Sequence, residues 1–344
     1  VLERENMKDI NYLEPKGKIS LVAPSFGCTT EPYKTRLEIA IKNLEKDGFT
    51  VLEGQNIYLA KAKARSNSPK ECAKEFNRAY LDDDSSAIIS VGGGELMDEI
   101  LPFIDFENIK KAPHKFFMGF SDNTNLTFTL TTICEAPAIY GPCATSFAYK
   151  PYIYSARDSL DLLMGKKTKV EGYPVWERYP SQDDEDPLAV SNFTEKKELK
   201  IFPNNNVKIK GRLIGGCLDC LVNLCGTRFD NVRDYIEKYK DDGFIWFLEA
   251  CDLSPISIQR ALFQLGQAGW FKYVRGFIFG RPLCYKKRVF GINHYNAIKA
   301  ETKSYKVPVI MDADLGHFNP SMPIVTGVIA TVEADSDNNF IIQY

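Results

Sequence analysis

Ser121 stands between an apolar run, Lys115-Phe116-Phe117-Met118-Gly119-Phe120, and a polar stretch, Asp122-Asn123-Thr124-Asn125. The run predicts a short buried strand, and Asn123 onward predicts the start of a helix. A serine at such a joint projects its hydroxyl off the end of the sheet, beside the free N–H groups of a helix N-terminus. That placement suits a nucleophile, which also needs a base and an oxyanion site. Ser-Asp-Asn is equally an ordinary helix-capping sequence. Asn123 also stands where the full Gly-x-Ser-x-Gly pattern has its second glycine. The meaning of Ser121 therefore depends on its companions.

The chain has three histidines, His114, His294 and His317. Histidine is the usual base for a serine because it takes and returns a proton near neutrality. His114 precedes the serine strand, and six residues at ~3.3 Å each put it roughly 20 Å from Ser121. His294, in Asn293-His294-Tyr295, reads as part of a surface helix. His317 follows the buried run Val307–Met311 and the segment Asp312-Ala313-Asp314-Leu315-Gly316, so it lies in a loop at a strand's carboxyl end. If a histidine serves Ser121, it is His317. The carboxylate that would orient it is best matched by Glu249, which ends the apolar strand Phe244–Leu248, where an unpartnered charge is costly. Asp252, Asp312 and Asp314 are rivals on spacing. The N–H of Asp122 and those of Gly92-Gly93-Gly94 are natural oxyanion donors.

The elements that would hold these groups alternate. Strands are predicted at Lys18–Pro24, Phe49–Leu52, Ala87–Val91, Lys115–Phe120 and Ala138–Tyr140, and helices at Tyr33–Lys46, Pro69–Leu81, Met97–Ile104 and from Asn123. Such alternation implies a mostly parallel sheet covered on both faces, with ligands at the carboxyl ends of its strands. Ser25, Gly92–Gly94 and Ser121 all fall there. The second half has a different rhythm. A strand at Val207–Ile214 leads to Gly215-Gly216, a helix at Leu218–Leu224 and the Glu249 strand. A helix at Ser257–Leu265 and strands at Val274–Phe279, Gly327–Glu333 and Phe340–Tyr344 follow. Residues 165–206, with Asp183-Asp184-Glu185-Asp186 in their middle, read as a loop-rich insert. Tyr173, Trp176 and Tyr179 are its apolar anchors, either pinning it down or gripping substrate. The resulting divisions are 1–164, 165–206 and 207–344.

Composition narrows the function classes. At 344 residues with 44% hydrophobic content, the chain can bury a core in each of two domains. A formal net charge of -2 argues against nucleic-acid binding by phosphate neutralisation. No run of ~18 apolar residues predicts a membrane span. The first residues, Val-Leu-Glu-Arg-Glu-Asn, carry no apolar signal core. Nine cysteines, an odd number, suit reduced thiols in a cytoplasmic protein. Cys217-Leu-Asp-Cys220 lacks the further ligands of a metal site, and its bland reading is helix packing. The glycine run lacks both Gly-x-Gly-x-x-Gly and a Walker lysine. No metal and no cofactor is expected.

Several segments stand in a distinctive order: Leu21-Val22-Ala23-Pro24-Ser25, the glycine run with Leu101-Pro102-Phe103-Ile104-Asp105 behind it, and Gly119-Phe120-Ser121-Asp122. Further along come Gly211–Gly216, Phe247-Leu248-Glu249, Ile258-Gln259-Arg260, Gly280-Arg281 and Gly316-His317. Taken together, these segments resemble the LD-carboxypeptidases, a family of serine peptidases that includes the microcin C immunity peptidases. Their joint order, over residues 18–335, carries the resemblance. It implies a Ser–Glu–His triad of Ser121, Glu249 and His317, with an oxyanion hole from the N–H of Asp122 and of Gly93 or Gly94. It implies an α/β fold, in which a flavodoxin-like parallel-sheet N-terminal domain carries the serine. A smaller β-rich C-terminal domain carries the glutamate and histidine, with the site between them. Homodimers and a cytoplasmic location are also implied.

The family resemblance implies a small peptide substrate, foremost the L,D-bond to the terminal D-alanine of a muropeptide. The immunity branch instead cleaves an amide between a peptidyl part and a modified nucleotide. The insert with Trp176 resembles that branch, where an aromatic stacks on the nucleobase. Ala250-Cys251-Asp252-Leu253-Ser254-Pro255 resembles the LD-carboxypeptidase branch. Gly93-Gly94-Glu95-Leu96 departs from the small or polar residues of many relatives. A non-catalytic peptide-binding module and a nucleotide binder built on the glycine run are the readings from other classes.

Overall fold

A computed structural model describes residues 10–178 and 184–344; Tyr179 and Asp183 lie outside the described residues. The first half forms a parallel sheet in the order Thr50–Glu53, Lys18–Val22, Ala87–Ser90, His114–Gly119, Ile139–Tyr140. The strand Ile10–Asn11 pairs with the start of His114–Gly119. Central strands are buried on both faces, so they read as continuous apolar runs rather than alternating ones. Along Ala87–Ser90, Ile89 enters one apolar cluster and Ile88 the other. Along His114–Gly119, Phe116 and Met118 face one cluster and Phe117 the other.

The covering helices follow from period and caps. Tyr33–Lys46 buries Leu37, Ala40, Ile41 and Leu44 on one face. Pro69–Leu81 starts with Pro69 in its first turn and with the Ser68 hydroxyl accepting from the Glu71 N–H. Pro255–Gln267 starts the same way, with the Ser254 hydroxyl accepting from the Ser257 N–H.

The second half builds an eight-stranded mixed sheet. Its order is Lys200–Phe202, Val309–Ala313, Val274–Gly280, Phe244–Glu249, Val207–Cys217, Ile329–Ala334, Phe340–Gln343, Lys169–Glu171. The insert differs from the loop-rich expectation. Lys169–Glu171 forms one edge of this sheet and Lys200–Phe202 the other, and Val175–Trp176 pairs with Glu195–Lys196 between them. Residues 165–206 thus run from one sheet edge to the other. Strands of two or three residues are too short to carry a period-2 signal. The helices Tyr154–Leu163 and Val232–Lys238 are further elements beyond the sequence expectation. Among the described residues no helix is long and apolar enough to cross a membrane.

The two halves share their packing. Ile324–Val325, far along the second half, adds an antiparallel edge to the first sheet beside Ile139–Tyr140. Each apolar cluster draws residues from both sheets, one through Ile245 and Phe247, the other through Phe244, Trp246 and Leu248. Gly215 and Gly216 do not follow the strand, as the sequence suggested, but lie inside Val207–Cys217. Gly216 has φ +148, and a Cβ there would come within 2.6 Å of Thr124 Cγ2. Its bareness lets this strand reach the helix Thr124–Cys134, where the Cys217 N–H donates to Thr124 Oγ1 at 2.9 Å. Gly216→Ala is expected to cost about 1–3 kcal/mol through overpacking and an unfavourable φ, read as a lower urea midpoint; an unchanged midpoint would contradict this account of the junction.

Candidate active site

The strand His114–Gly119 ends two residues before Ser121, and Phe120 between them is still extended. Ser121 then turns to φ +62, a left-handed conformation that costs a non-glycine residue about 1–3 kcal/mol. A short 3-10 turn, Ser121–Asn123, leads into the helix Thr124–Cys134. Capping does not account for these side chains, because the helix start has no side-chain cap. The Asp122 carboxylate instead accepts from the Ser25 hydroxyl at 2.6 Å and the Met97 N–H at 3.0 Å. Asn123 donates to the carbonyls of Gly92 and Phe120, both at 3.0 Å. The turn is thereby tied to the glycine run.

His317 Nε2 lies 2.9 Å from Ser121 Oγ, and His317 Nδ1 lies 2.9 Å from Glu249 Oε2. Glu249 is the last residue of Phe244–Glu249 and is buried. Gly316, at φ +106, makes the approach possible: a Cβ there would fall 2.8 Å from Glu249 Oε2. The other histidines are elsewhere. His114 begins the serine strand at its far end. His294 opens the helix His294–Thr302, but it is buried beside Asp312 rather than on the surface as expected. The rival carboxylates are otherwise engaged. Asp312 accepts from the Tyr295 hydroxyl, and Asp314 accepts from Arg281 and from the Tyr173 N–H. Asp252 lies at the rim of a cavity in front of Ser121.

One member of the site was not legible in the sequence. The Tyr140 hydroxyl donates to Glu249 Oε1 at 2.6 Å and accepts the Ser121 N–H at 3.0 Å. Ser121, His317, Glu249 and Tyr140 therefore close a ring of hydrogen bonds. The one available signal was positional: Tyr140 ends the strand next to the serine strand, level with Gly119.

Electrostatics follow from burial and pairing. Burial opposes the charge on Glu249, yet the charge of His317 and the hydrogen bonds from His317 and Tyr140 outweigh it and hold the carboxyl below its ordinary range. Burial alone would depress His317; the Glu249 carboxylate, with help from Cys251, raises it well above the ordinary histidine value. Asp122 is pushed up to about 6 by burial, with Asp98 and Glu95 adding to the shift.

A cavity of about 110 Å³ opens in front of Ser121, with Gly94, Asp122, Cys220 and Cys251 in its wall. Gly93 is close as well, since a Cβ there would lie 3.6 Å from Ser121 Oγ. A larger cavity of about 390 Å³, beside Glu75 and Arg78, contains none of these groups. Trp176 does not present an open face. It is 2% exposed, its ring packs on Phe318 and Tyr285 under the Arg281 guanidinium, and its N–H donates to the Lys196 carbonyl at 3.2 Å. Tyr173 is buried too, its hydroxyl on Asp158. Both pin the insert to the body.

Residues 19–141 match the model of the LD-carboxypeptidase N-terminal domain, and residues 210–332 that of the LD-carboxypeptidase C-terminal domain. The chain is 25% identical over 321 residues to the Microcin C7 self-immunity protein MccF of Escherichia coli, covering 89% of this chain and 87% of that protein. It is 24% identical over 329 residues to a probable murein peptide carboxypeptidase of Bacillus subtilis, covering 91% and 88%. Among solved structures, MccF in complex with glutamyl sulfamoyl guanosine superposes with a TM-score of 0.80 at 23% identity, over 97% of this chain and 98% of that one. An MccF-like protein from Bacillus anthracis gives 0.79 at 22%, with the same coverage.

Two outcomes are expected of the ring. Glu249→Gln removes the charge that raises His317, so the His317 titration followed by NMR shifts to lower pH; an unmoved titration would refute the pairing. Tyr140→Phe leaves Glu249 Oε1 and the Ser121 N–H without that partner, and denaturant unfolding is expected to show a loss of about 1–3 kcal/mol.

Proposed function

This chain belongs to the LD-carboxypeptidase family, and we propose that it is a serine peptidase that hydrolyses an amide bond of a small peptide, foremost the L,D-bond to a terminal D-alanine of a muropeptide. The observation that carries this reading is the Ser121–His317–Glu249 chain, with both hydrogen bonds at 2.9 Å. Ser121 Oγ attacks the scissile carbonyl while its proton passes to His317 Nε2. Glu249 holds His317 by Nδ1 and stabilises the imidazolium. The N–H of Asp122 and that of Gly93 or Gly94 receive the oxyanion. Collapse expels the amine, which takes the proton from His317. Water then repeats the sequence on the acyl-enzyme and regenerates Ser121.

The likeness to MccF supports a second reading, cleavage of an amide between a peptidyl or aminoacyl part and a nucleotide. The packed position of Trp176 weighs against a nucleobase stacking on it. Incubation with an L,D-linked muropeptide tetrapeptide and with a peptidyl-adenylate analogue, read side by side by mass spectrometry, separates the two. Terminal D-alanine release from the first is expected.

Ser121→Ala and His317→Ala should each lower turnover by at least ~10²–10⁴-fold with folding intact, since general-base assistance is worth that much. Wild-type-like turnover by Ser121→Ala would sink the mechanism. Only neutral His317 can accept the serine proton, and its pKa lies well above the ordinary 6.5. The rate should therefore rise with pH through that raised value, and Glu249→Gln should move the rise downward.

A further inference from the structure

Ser25 follows the strand Lys18–Val22, at the same carboxyl end of the parallel sheet as Ser121 and the glycine run. It is 2% exposed and is not among the residues lining the cavity in front of Ser121, so it acts on that site only through other residues. Its backbone is fixed from behind, because its carbonyl accepts the Ser66 N–H at 2.7 Å. The Ser66 hydroxyl in turn donates to the Ala23 carbonyl at 2.7 Å. From this fixed base the Ser25 hydroxyl donates to Asp122 Oδ2 at 2.6 Å. The next residue, Phe26, donates its N–H to the Gly93 carbonyl at 3.2 Å. Two consecutive residues thus grip the two segments that carry the oxyanion donors, one the serine turn and the other the glycine run.

Each grip bears on the direction of an N–H. A trans peptide is planar, so its carbonyl and its N–H point opposite ways. With the Gly93 carbonyl turned to Phe26, the N–H of Gly94 is turned away from Phe26. On the serine turn, the Ser121 N–H is taken by the Tyr140 hydroxyl at 3.0 Å, which leaves the N–H of Asp122 for an oxyanion. Asp122 is held by its side chain. Its Oδ2 accepts from Ser25 and from the Met97 N–H at 3.0 Å, and its Oδ1 accepts from Asn125 Nδ2 at 3.0 Å. Gly94 packs on the same serine hydroxyl. A Cβ there would fall 1.9 Å from Ser25 Oγ and 3.3 Å from Asp122 Oδ2. The two donor segments therefore meet at Ser25 Oγ, and an oxyanion needs both donors about 2.7–3.1 Å away at once.

We propose that Ser25 is a positioning residue for the oxyanion site. Its hydroxyl, through Asp122 Oδ2, and its neighbour Phe26, through the Gly93 carbonyl, keep the N–H groups of Asp122 and Gly94 in register for the charge that forms when Ser121 attacks. The proposal rests on the peptidase reading above, and it selects Gly94 over Gly93 as the glycine donor. Charge on the substrate oxygen develops only in the transition state, so Ser25 acts on kcat rather than on substrate binding. The hydrogen bonds of His317 and Glu249 run to each other, to Ser121 and to Tyr140. Loss of the Ser25 hydroxyl therefore leaves the base in place.

The test compares wild type, Ser25→Ala and Ser25→Cys as full chains. The substrates are the L,D-linked muropeptide tetrapeptide and the peptidyl-adenylate analogue, and a fluorophosphonate labels Ser121. Ser25→Ala should lower kcat on the cleaved substrate by roughly 10–100-fold, since a misplacement of about 1 Å can cost about 10²-fold. KM should stay within about twofold of wild type. Ser25→Cys keeps a weak S–H donor and should fall between the two. The labelling rate should drop in parallel, because the phosphonyl oxygen takes the place of the oxyanion. The His317 titration, followed by NMR, should stay where it is. Unchanged kcat and labelling in the variants, a loss confined to KM, or a His317 titration that moves with the rate overturns the proposal. If Ser25→Ala does not fold, Ser25→Cys decides alone: a lower kcat at constant KM supports the proposal, and an unchanged kcat overturns it. If wild type is labelled but cleaves neither substrate, the labelling rates decide in the same sense. Wild-type protein that neither cleaves nor labels overturns the peptidase reading and the proposal with it, whereas active wild type beside equally active variants overturns the proposal alone.

Discussion

A carboxylate at the end of an apolar strand has to be partnered, and the site is organised around that need. Glu249 is fully removed from water, where an isolated charge would be very costly. Its two oxygens are taken by His317, from a loop of the second half, and by Tyr140, from the first sheet. Tyr140 and His317 each reach on to Ser121, one at its N–H and one at its hydroxyl. One buried charge thus docks the carboxyl ends of two sheets against each other and sets the serine in the same act.

Close approach at this junction is permitted by missing side chains. Gly216 lets the strand Val207–Cys217 meet the helix behind Ser121, and Gly316 lets the histidine loop pass over Glu249. Around them, both apolar clusters cross from one sheet to the other. The strained φ of Ser121 is held by this surrounding structure. Tyr140, Asn123 and Asp122 each tie the turn to a different neighbour.

The same arrangement separates two electrostatic regions a few residues apart. Behind Ser121 a carboxylate is neutralised by its histidine. In front of it, five carboxylates line a cavity without a cation of the protein's own. The pairing bears on the proposed chemistry.

Much of this was legible in the sequence, because it depends on short-range order. Apolar spacing located the helices Tyr33–Lys46, Pro69–Leu81 and Leu218–Leu224 at their observed bounds. The same logic placed Ser121 and Glu249 at strand ends, and elimination among three histidines left His317. The sequence determined which residues could do chemistry and at which end of the sheets they lie. It did not reveal the edge strands inside 165–206, the burial of Trp176 and His294, or the role of Tyr140. Those were decided by the tertiary structure alone. The ring of hydrogen bonds joins residues 19, 109, 68 and 196 positions apart, and no local pattern encodes a distance of 2.6–3.0 Å across such separations; only the packing of one sheet on the other does.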